Sequence, residues 1–417
     1  MLPEGWSRQP LHEVAEVRTG LAKGKTGLLD PVELPYLRVA NVQDGFIDLS
    51  EVKMIAVERH QIDRYSLKQG DILMTEGGDF DKLGRGAVWD GTLDPCLHQN
   101  HVFAVRAKPD SVNPLFLSAL SGSEYGRTYF LSCAKRSTNL ASINSSQLKA
   151  FPVLLPPIAE QNRIAHILST WDQAIATTDR LLKNSQKQMD ILLRDLTLGT
   201  HRTTSTPSSW ENFTLGELGR TYSGLSGKKG EDFGSGAKFI PYTNVFKNNR
   251  IDIEDFSLVK ISEGENQTRV KSGDIIFTIS SETPNEVGMA SVLLDDVDEL
   301  YLNSFCFGYR LNEFTTLLPE YAAFALRAPH IRALMTQLAQ GSTRYNISKA
   351  NVMRMKLTLP SITEQKRITP ILNEAHSTVK NFRDQLARLK QEKAILMSQL
   401  LTGKRRVRLP ADETASA

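Results

Sequence analysis

The feature that most constrains this chain is that its pattern occurs twice. Trp6 and Leu11 return as Trp210 and Leu215, and Gly20-Leu21 returns as Gly224-Leu225. Pro35-Tyr36 returns as Pro241-Tyr242, and Asn41-Val42 as Asn244-Val245. Lys68-Gln-Gly-Asp-Ile72 returns as Lys271-Ser-Gly-Asp-Ile275, Phe103 and Arg106 as Phe307 and Arg310, and Ser137-Thr138 as Ser342-Thr343. The offset stays between 203 and 206 along the whole of the 417 residues. A period this long is not a solenoid unit. Each copy is large enough to hold a hydrophobic core of its own. The chain therefore reads as two homologous halves, roughly 1–203 and 204–406, with a short polar tail.

Each half divides again. Its first part has short apolar bursts set between Gly, Pro, Asn and Asp, as in Pro35–Val42, Asp71–Met74 and His101–Val105, which read as strands between turns. Segments near 114–131 and 319–339 read as helices, so each globule is expected to be α+β. The last forty residues of each half differ. Glu160 to Leu198 contains no Gly or Pro. Its heptad positions carry Ile164, Leu168, Trp171, Ile175, Leu182, Met189, Leu192 and Leu196, with Thr178 and Ser185 between them. The second half carries Ile368, Leu372, Ala375, Val379, Phe382, Leu386, Leu389, Lys393, Leu396 and Leu400. A 3.5-residue period sustained for more than four heptads predicts two long helices with a coiled-coil seam, each about 55 Å long. Each begins after a proline (Pro157, Pro360) and stops at a glycine (Gly199, Gly403). Pro370 lies inside the second pattern and is expected to kink that helix or delay its start. The expected organisation is a first globule over 1–158, a helix over 159–198, a linker over 199–209, a second globule over 210–362, a helix over 363–403 and a flexible tail over 404–417.

Composition narrows the function. Fifty Lys and Arg against 47 Asp and Glu leave a net charge of only +3, which excludes a basic nucleic-acid coat but not local basic loops. Cys96, Cys133 and Cys306 are too few and too scattered for a disulfide framework. No apolar run reaches the roughly 18 residues of a membrane span, and Met1–Trp6 lacks the apolar core of a signal peptide. The expectation is a cytoplasmic protein with no membrane role.

Leu2-Pro-Glu-Gly-Trp6, Leu155-Pro-Pro-Ile-Ala-Glu-Gln-Asn-Arg-Ile164, Leu359-Pro-Ser-Ile-Thr-Glu-Gln-Lys-Arg-Ile368 and Leu400-Leu-Thr-Gly-Lys404, in this doubled order, resemble the specificity subunit of type I restriction-modification systems. The resemblance covers essentially the whole chain. It implies two target-recognition domains, each reading one half of an asymmetric bipartite site in double-stranded DNA. It implies that the two helices pack as an antiparallel coiled coil with pseudo-two-fold symmetry. Two adenine-N6 methyltransferase subunits would dock on that scaffold, and restriction/translocase subunits would join them. It also implies no chemistry and no cofactor in this chain, with S-adenosylmethionine, ATP and Mg in the partner subunits. In keeping with that, Leu155-Pro-Pro-Ile158 and Asp94-Pro95-Cys96 do not match the Asn/Asp-Pro-Pro-aromatic motif of an adenine methyltransferase. A specificity partner of a fused type II restriction-methyltransferase and a coiled-coil scaffold without nucleic acid remain as alternatives.

Several loops are candidates for DNA contact. The tract Thr19–Thr26 looks like a phosphate loop, but only three residues separate Gly20 from Gly24 where the nucleotide motif needs four. Thr19, Lys23 and Lys25, with Lys228 and Lys229 in the second half, suit DNA phosphates better than ATP. Arg38, Asn41, Tyr242 and Asn244 could reach base edges; core or turn roles for Tyr36, Tyr242 and the two Asn are the alternative. Lys135, Arg136 and Asn139, matched by Arg344 and Asn346, form the strongest pair of basic, hydroxyl-rich loops. Lys82 and Arg85 are weaker. His98-x-x-His101 could be half of a metal site, but no third ligand completes it.

Overall fold

The computed structural model describes residues 2–23, 27–78, 83–84, 86–136 (136 by its backbone alone), 141–200 and 210–408. Contacts divide the chain into two compact units, 1–178 with 384–417, and 179–383. The boundary runs through the middle of both long helices rather than between the halves of the sequence.

The first unit is built on a four-stranded antiparallel sheet in the order Ala15–Thr19, Val102–Ala107, Ile72–Thr75, Gly86–Val88. Ile72–Met74 is an unbroken apolar run because both faces of the strand are covered, and every residue of Ile72–Thr75 is buried. A second sheet sets Pro31–Leu37 antiparallel to Lys53–Glu58 and parallel to Leu97–His98. A ribbon pairs Ser7–Pro10 with Pro152–Leu155, which returns the chain to its own start before the first long helix. The core centres on Phe116, Phe130 and Phe151, all fully buried.

The second unit repeats this plan. Its four-stranded sheet runs Gly219–Ser223, Cys306–Leu311, Ile275–Thr278, Ala290–Val292. Phe233–Ile240 pairs antiparallel with Ser257–Val259 and parallel with Tyr301–Leu302. Glu211–Thr214 pairs with Lys356–Leu359. The regions expected to be helical each hold two helices: Pro114–Gly122 with Glu124–Cys133, and Pro319–Ala325 with Pro329–Gln337. Pro329 has no N–H to continue the preceding helix and starts a new one.

The duplicated Gly-Asp motif has a structural reason in both units. Gly70 and Gly273 take φ of +91° and +86°, so each turn returns and buries the next aspartate. Asp71 accepts from Arg106 Nε and Nη2 at 2.7 and 2.6 Å, and Asp274 from Arg310 at the same two distances. The backbone N–H groups of Lys68 and Lys271 each donate to the same aspartate at 2.8 Å.

The long helices run Ile158–Leu198 and Ile362–Leu400. All twenty heptad positions are at least partly buried. In the first unit Ile164 and Leu168 share a core with Leu396 and Leu400. In the second, Leu192 and Leu196 share one with Ile368 and Leu372. The start of each helix thus packs on the end of the other, which makes the pair antiparallel. Pro370 does not delay the second helix, which is continuous from Ile362. Pro370 and Lys366 are both exposed, so the Lys366 carbonyl left without an N–H faces water.

The first turns of the helices lock onto the globules. Buried Gln161 accepts from Asn113 N and donates to Pro156 O, both at 2.9 Å; Gln365 does the same with Leu318 N and Pro360 O. Buried Glu160 accepts from Trp6 Nε1 at 3.2 Å, and Glu364 from Trp210 Nε1 at 3.1 Å. These pairs therefore tie each helix start to its globule. Of the expected flexible tail, 409–417 lies outside the described residues, and the part before it is held: Arg406 donates to both Glu160 oxygens at 3.1 and 2.7 Å and to Glu4 O at 3.0 Å, and Val407 packs on the first core.

Candidate nucleic-acid interface

The small strands decide which candidate loops meet. In the first unit Gly77–Gly78 pairs with Ala141–Ser142, which pairs with Lys135–Arg136. This places the chain leading into 79–85 beside the chain bounding 137–140. Two tracts far apart in sequence therefore share one sheet edge. Lys135 is exposed there. Lys25, Lys82, Arg85, Asn139 and the Arg136 side chain lie outside the described residues. In the second unit Ser280–Ser281 pairs with Tyr345–Asn346, so Glu282 and the Gly341–Arg344 turn meet at the equivalent edge.

That edge borders a groove of about 750 Å³. Tyr242 and Phe246 stack in its wall, with ring centroids 5.9 Å apart and planes at 18°. The Tyr242 hydroxyl donates to Ser280 O at 2.7 Å, and burial raises its pKa. Phe305 is 54% exposed, a large apolar side chain left to solvent. Arg344 sits over it, with Cζ 5.7 Å from the ring centroid. Glu286 accepts from Ser281 Oγ at 2.9 Å, and the Thr283 and Ser281 hydroxyls hold its carboxyl below the usual range. Asn346 is exposed on the same strand pair.

Two partly buried arginines fix the groove walls. Arg327 donates to the carbonyls of Ala290, Val245, Phe246 and Asn248. Arg332 donates to those of Asn285, Val287 and Gly288. Desolvation lowers the pKa of both, and that of Arg327 to about 10. Neither stood out in the sequence, because a cation paired only with backbone carbonyls leaves no charge-complementary partner to notice.

Other candidates are structural. Asn41 and Asn244 are 3% and 0% exposed. Asn41 Nδ2 donates to Asp48 O and Glu51 O while its Oδ1 accepts from Arg38 N. Asn244 Nδ2 donates to Asp252 O and Asp255 O, and its Oδ1 accepts from Asp252 N. With donors and acceptor engaged, they staple loops and do not read bases. Lys228 is also spent: its side chain is 8% exposed and bonds Glu265 at 2.5 Å, which lowers that carboxyl to about 2. Arg38 lies 3.6 Å from Glu51 and is half-buried. Thr19, Lys23 and Lys229 are exposed and remain available. Gly20 recurs as Gly224 for a packing reason: a Cβ would stand 2.0 Å from His98 O in one case and 2.2 Å from Asn303 O in the other.

The strand registers also correct one match of the repeat. Tyr36 aligns with Leu97 as Phe239 does with Tyr301, so Tyr36 corresponds to Phe239 and not to Tyr242. Tyr36 is 3% exposed and belongs to the core. The same registers equate His101 with Phe305: Glu76 N donates to His101 O as Ile279 N donates to Phe305 O. His98 is buried, bonds Val102 O at 2.8 Å and has its pKa lowered to about 4 by desolvation, while His101 bonds Glu76 at 2.5 Å. The two rings are engaged separately. Among the described residues no group of three or more His, Cys, Asp or Glu is placed to hold a metal ion. Nor is any helix there long and apolar enough to cross a membrane.

A duplicated α/β domain with an equivalent small sheet at its edge in each copy, each copy followed by a long helix, is the frame of a specificity protein. The family model described as type I restriction modification DNA specificity domain matches residues 3–184 and 207–391. The chain belongs to this family, the specificity subunits that are the non-catalytic members of type I restriction-modification complexes. A Methanocaldococcus jannaschii chain, provisionally named type I restriction enzyme MjaX specificity subunit, is 25% identical over 98% of this chain and 95% of its own length. The type I restriction-modification S subunit of M. genitalium superposes with a TM-score of 0.60 at 15% identity, over 95% of this chain and 96% of that one. A chain from a study of complex assembly and conformational transition of the type I R-M system gives 0.58 at 18% identity, over 97% and 100%. At these identities the two solved structures bear on the fold alone.

Proposed function

We propose that each domain reads one half of an asymmetric, bipartite target in double-stranded DNA through the sheet edge described above. The long helices hold the two reading heads apart and offer their exposed faces to two adenine-N6 methyltransferase subunits. Restriction/translocase subunits join through these. S-adenosylmethionine, ATP and Mg belong to the partner subunits, and the complex works in the cytoplasm.

The observation that carries this reading is that equivalent edges in one repeated frame bear different side chains. His101 and Glu76 stand in the first domain where Phe305 and Ile279 stand in the second. A frame kept constant around a changed surface is what two different half-sites require.

The test is a map of N6-methyladenine across the host genome with this chain intact and deleted. Loss of one gapped motif on deletion is the expected result. A map that does not change, in cells where the chain co-purifies with an active methyltransferase, would refute the reading.

A further inference from the structure

The groove of the second domain carries charges of both signs, and this limits what can enter it. Glu286 is held ionised by hydroxyl donors, and Glu282 is exposed with no hydrogen bond among the described residues. A phosphate would be repelled by these two carboxylates, so the DNA backbone cannot lie along the Glu282 side. A base edge presenting an amine can. Carboxylates accept from cytosine N4 in the major groove, whereas adenine places the N7 lone pair beside its amine and suits an amide side chain instead. Arg344, held over Phe305 and without an ion pair among the described residues, presents the planar fork that fits guanine O6 and N7. Guanine and cytosine present these groups as one base pair.

We propose that this groove makes the second domain specific for a G·C pair in its half-site, with Arg344 on the guanine and Glu282 on the cytosine amine. The inference rests on the DNA-reading function proposed above and adds the base read. Arg327 and Arg332 act as positioning residues. They tie the end of the Tyr242–Lys247 helix and the 285–290 segment to the body of the domain, so the groove is preformed before DNA arrives.

The experiment is a methylome of cells carrying the complete system with the native chain, Arg344→Lys, Arg344→Ala or Glu282→Ala, with the amount of complex recovered from each strain measured alongside. With the native chain one half of the gapped motif contains a G·C pair. In the Arg344 variants the preference at that pair falls roughly 5- to 150-fold while the other half-site is unchanged. Arg344→Lys keeps the charge but not the fork, so it relaxes the base while methylation continues. Glu282→Ala relaxes the same pair. A native motif that all three variants preserve, position for position, overturns the G·C assignment and leaves the DNA-reading function standing. Absence of any motif dependent on the native chain overturns both. Relaxation in the opposite half-site also overturns the assignment. If Arg344→Ala gives no complex, Arg344→Lys and Glu282→Ala decide.

Discussion

Replacing Arg406 with alanine tests whether the end of the chain is part of the fold. Glu160 is 2% exposed and receives the Trp6 indole and two bonds from Arg406. Removing the guanidinium leaves a buried carboxylate with a single neutral donor. Breaking a buried pair from one side costs about 3–5 kcal/mol. The Arg406 side chain is 46% exposed, however, so water can reach part of the vacated site and screening weakens the original pair. The worked expectation is about 1–2 kcal/mol. For a unit of some 200 residues that corresponds to a fall of roughly 2–8 °C in the melting of the first unit.

Calorimetry, with hydrogen exchange at the amides of 158–162, reads both the global and the local effect. Arg405→Ala is the control, since Arg405 has no ion pair among the described residues, and it should stay within about 0.5 kcal/mol. Glu160→Gln should cost less in the Arg406→Ala background than alone, because an amide needs no counter-charge. Equal costs in the two backgrounds, or an Arg406→Ala effect no larger than that of Arg405→Ala, would refute the clasp.

Other outcomes follow from the same geometry. Arg106→Ala and Arg310→Ala should each cost about 3–5 kcal/mol, because Asp71 and Asp274 are 1% exposed and lose a two-bond partner; denaturant melts should show similar losses in the two units. His98, with a folded pKa of about 4 against 6.5 unfolded, is neutral in the fold while the unfolded chain takes up a proton. Stability of the first unit should therefore fall by up to about 3 kcal/mol as the pH drops from 6.5 to 4, and His98→Leu, which installs the residue type of Leu302, should flatten that slope in acid titrations. Asn244→Ala strands the carbonyls of Asp252 and Asp255 and should cost about 1–3 kcal/mol. If Asn244 instead read a base, the loss would appear in DNA discrimination with no change in melting.

The architecture was largely legible because its signals are local or periodic. The register of Leu155–Gln161 against Leu359–Gln365 marks the repeat. Heptad spacing marks the two helices, and Gly199 and Gly403, at φ of +70° and +74°, mark their ends. The contact surface was legible only in part. Arg344 stands out as a candidate because it is charged, in a loop and duplicated in context. Phe305 was not, since an exposed phenylalanine looks like core until its place on the edge is seen. Asn41 and Asn244 stayed open between base and turn roles for the opposite reason: a polar side chain in a loop looks available until its partners are counted.

What the sequence determined by itself is the doubling, the α+β character of each half, the helix spans and the family, all set by patterns within tens of residues. What only the tertiary structure decided is which distant groups meet. It brings Ser280 to Asn346, and with them Glu282 to the Arg344 turn. It spends Lys228 on Glu265 and turns Arg327 and Arg332 inward. It also closes Arg406 onto Glu160 across 246 residues. Such pairings depend on strand register and on the balance of desolvation against hydrogen bonding at each site. Neither quantity is written in the local order of residues, so a side chain's partners could be known only once the sheets were assembled.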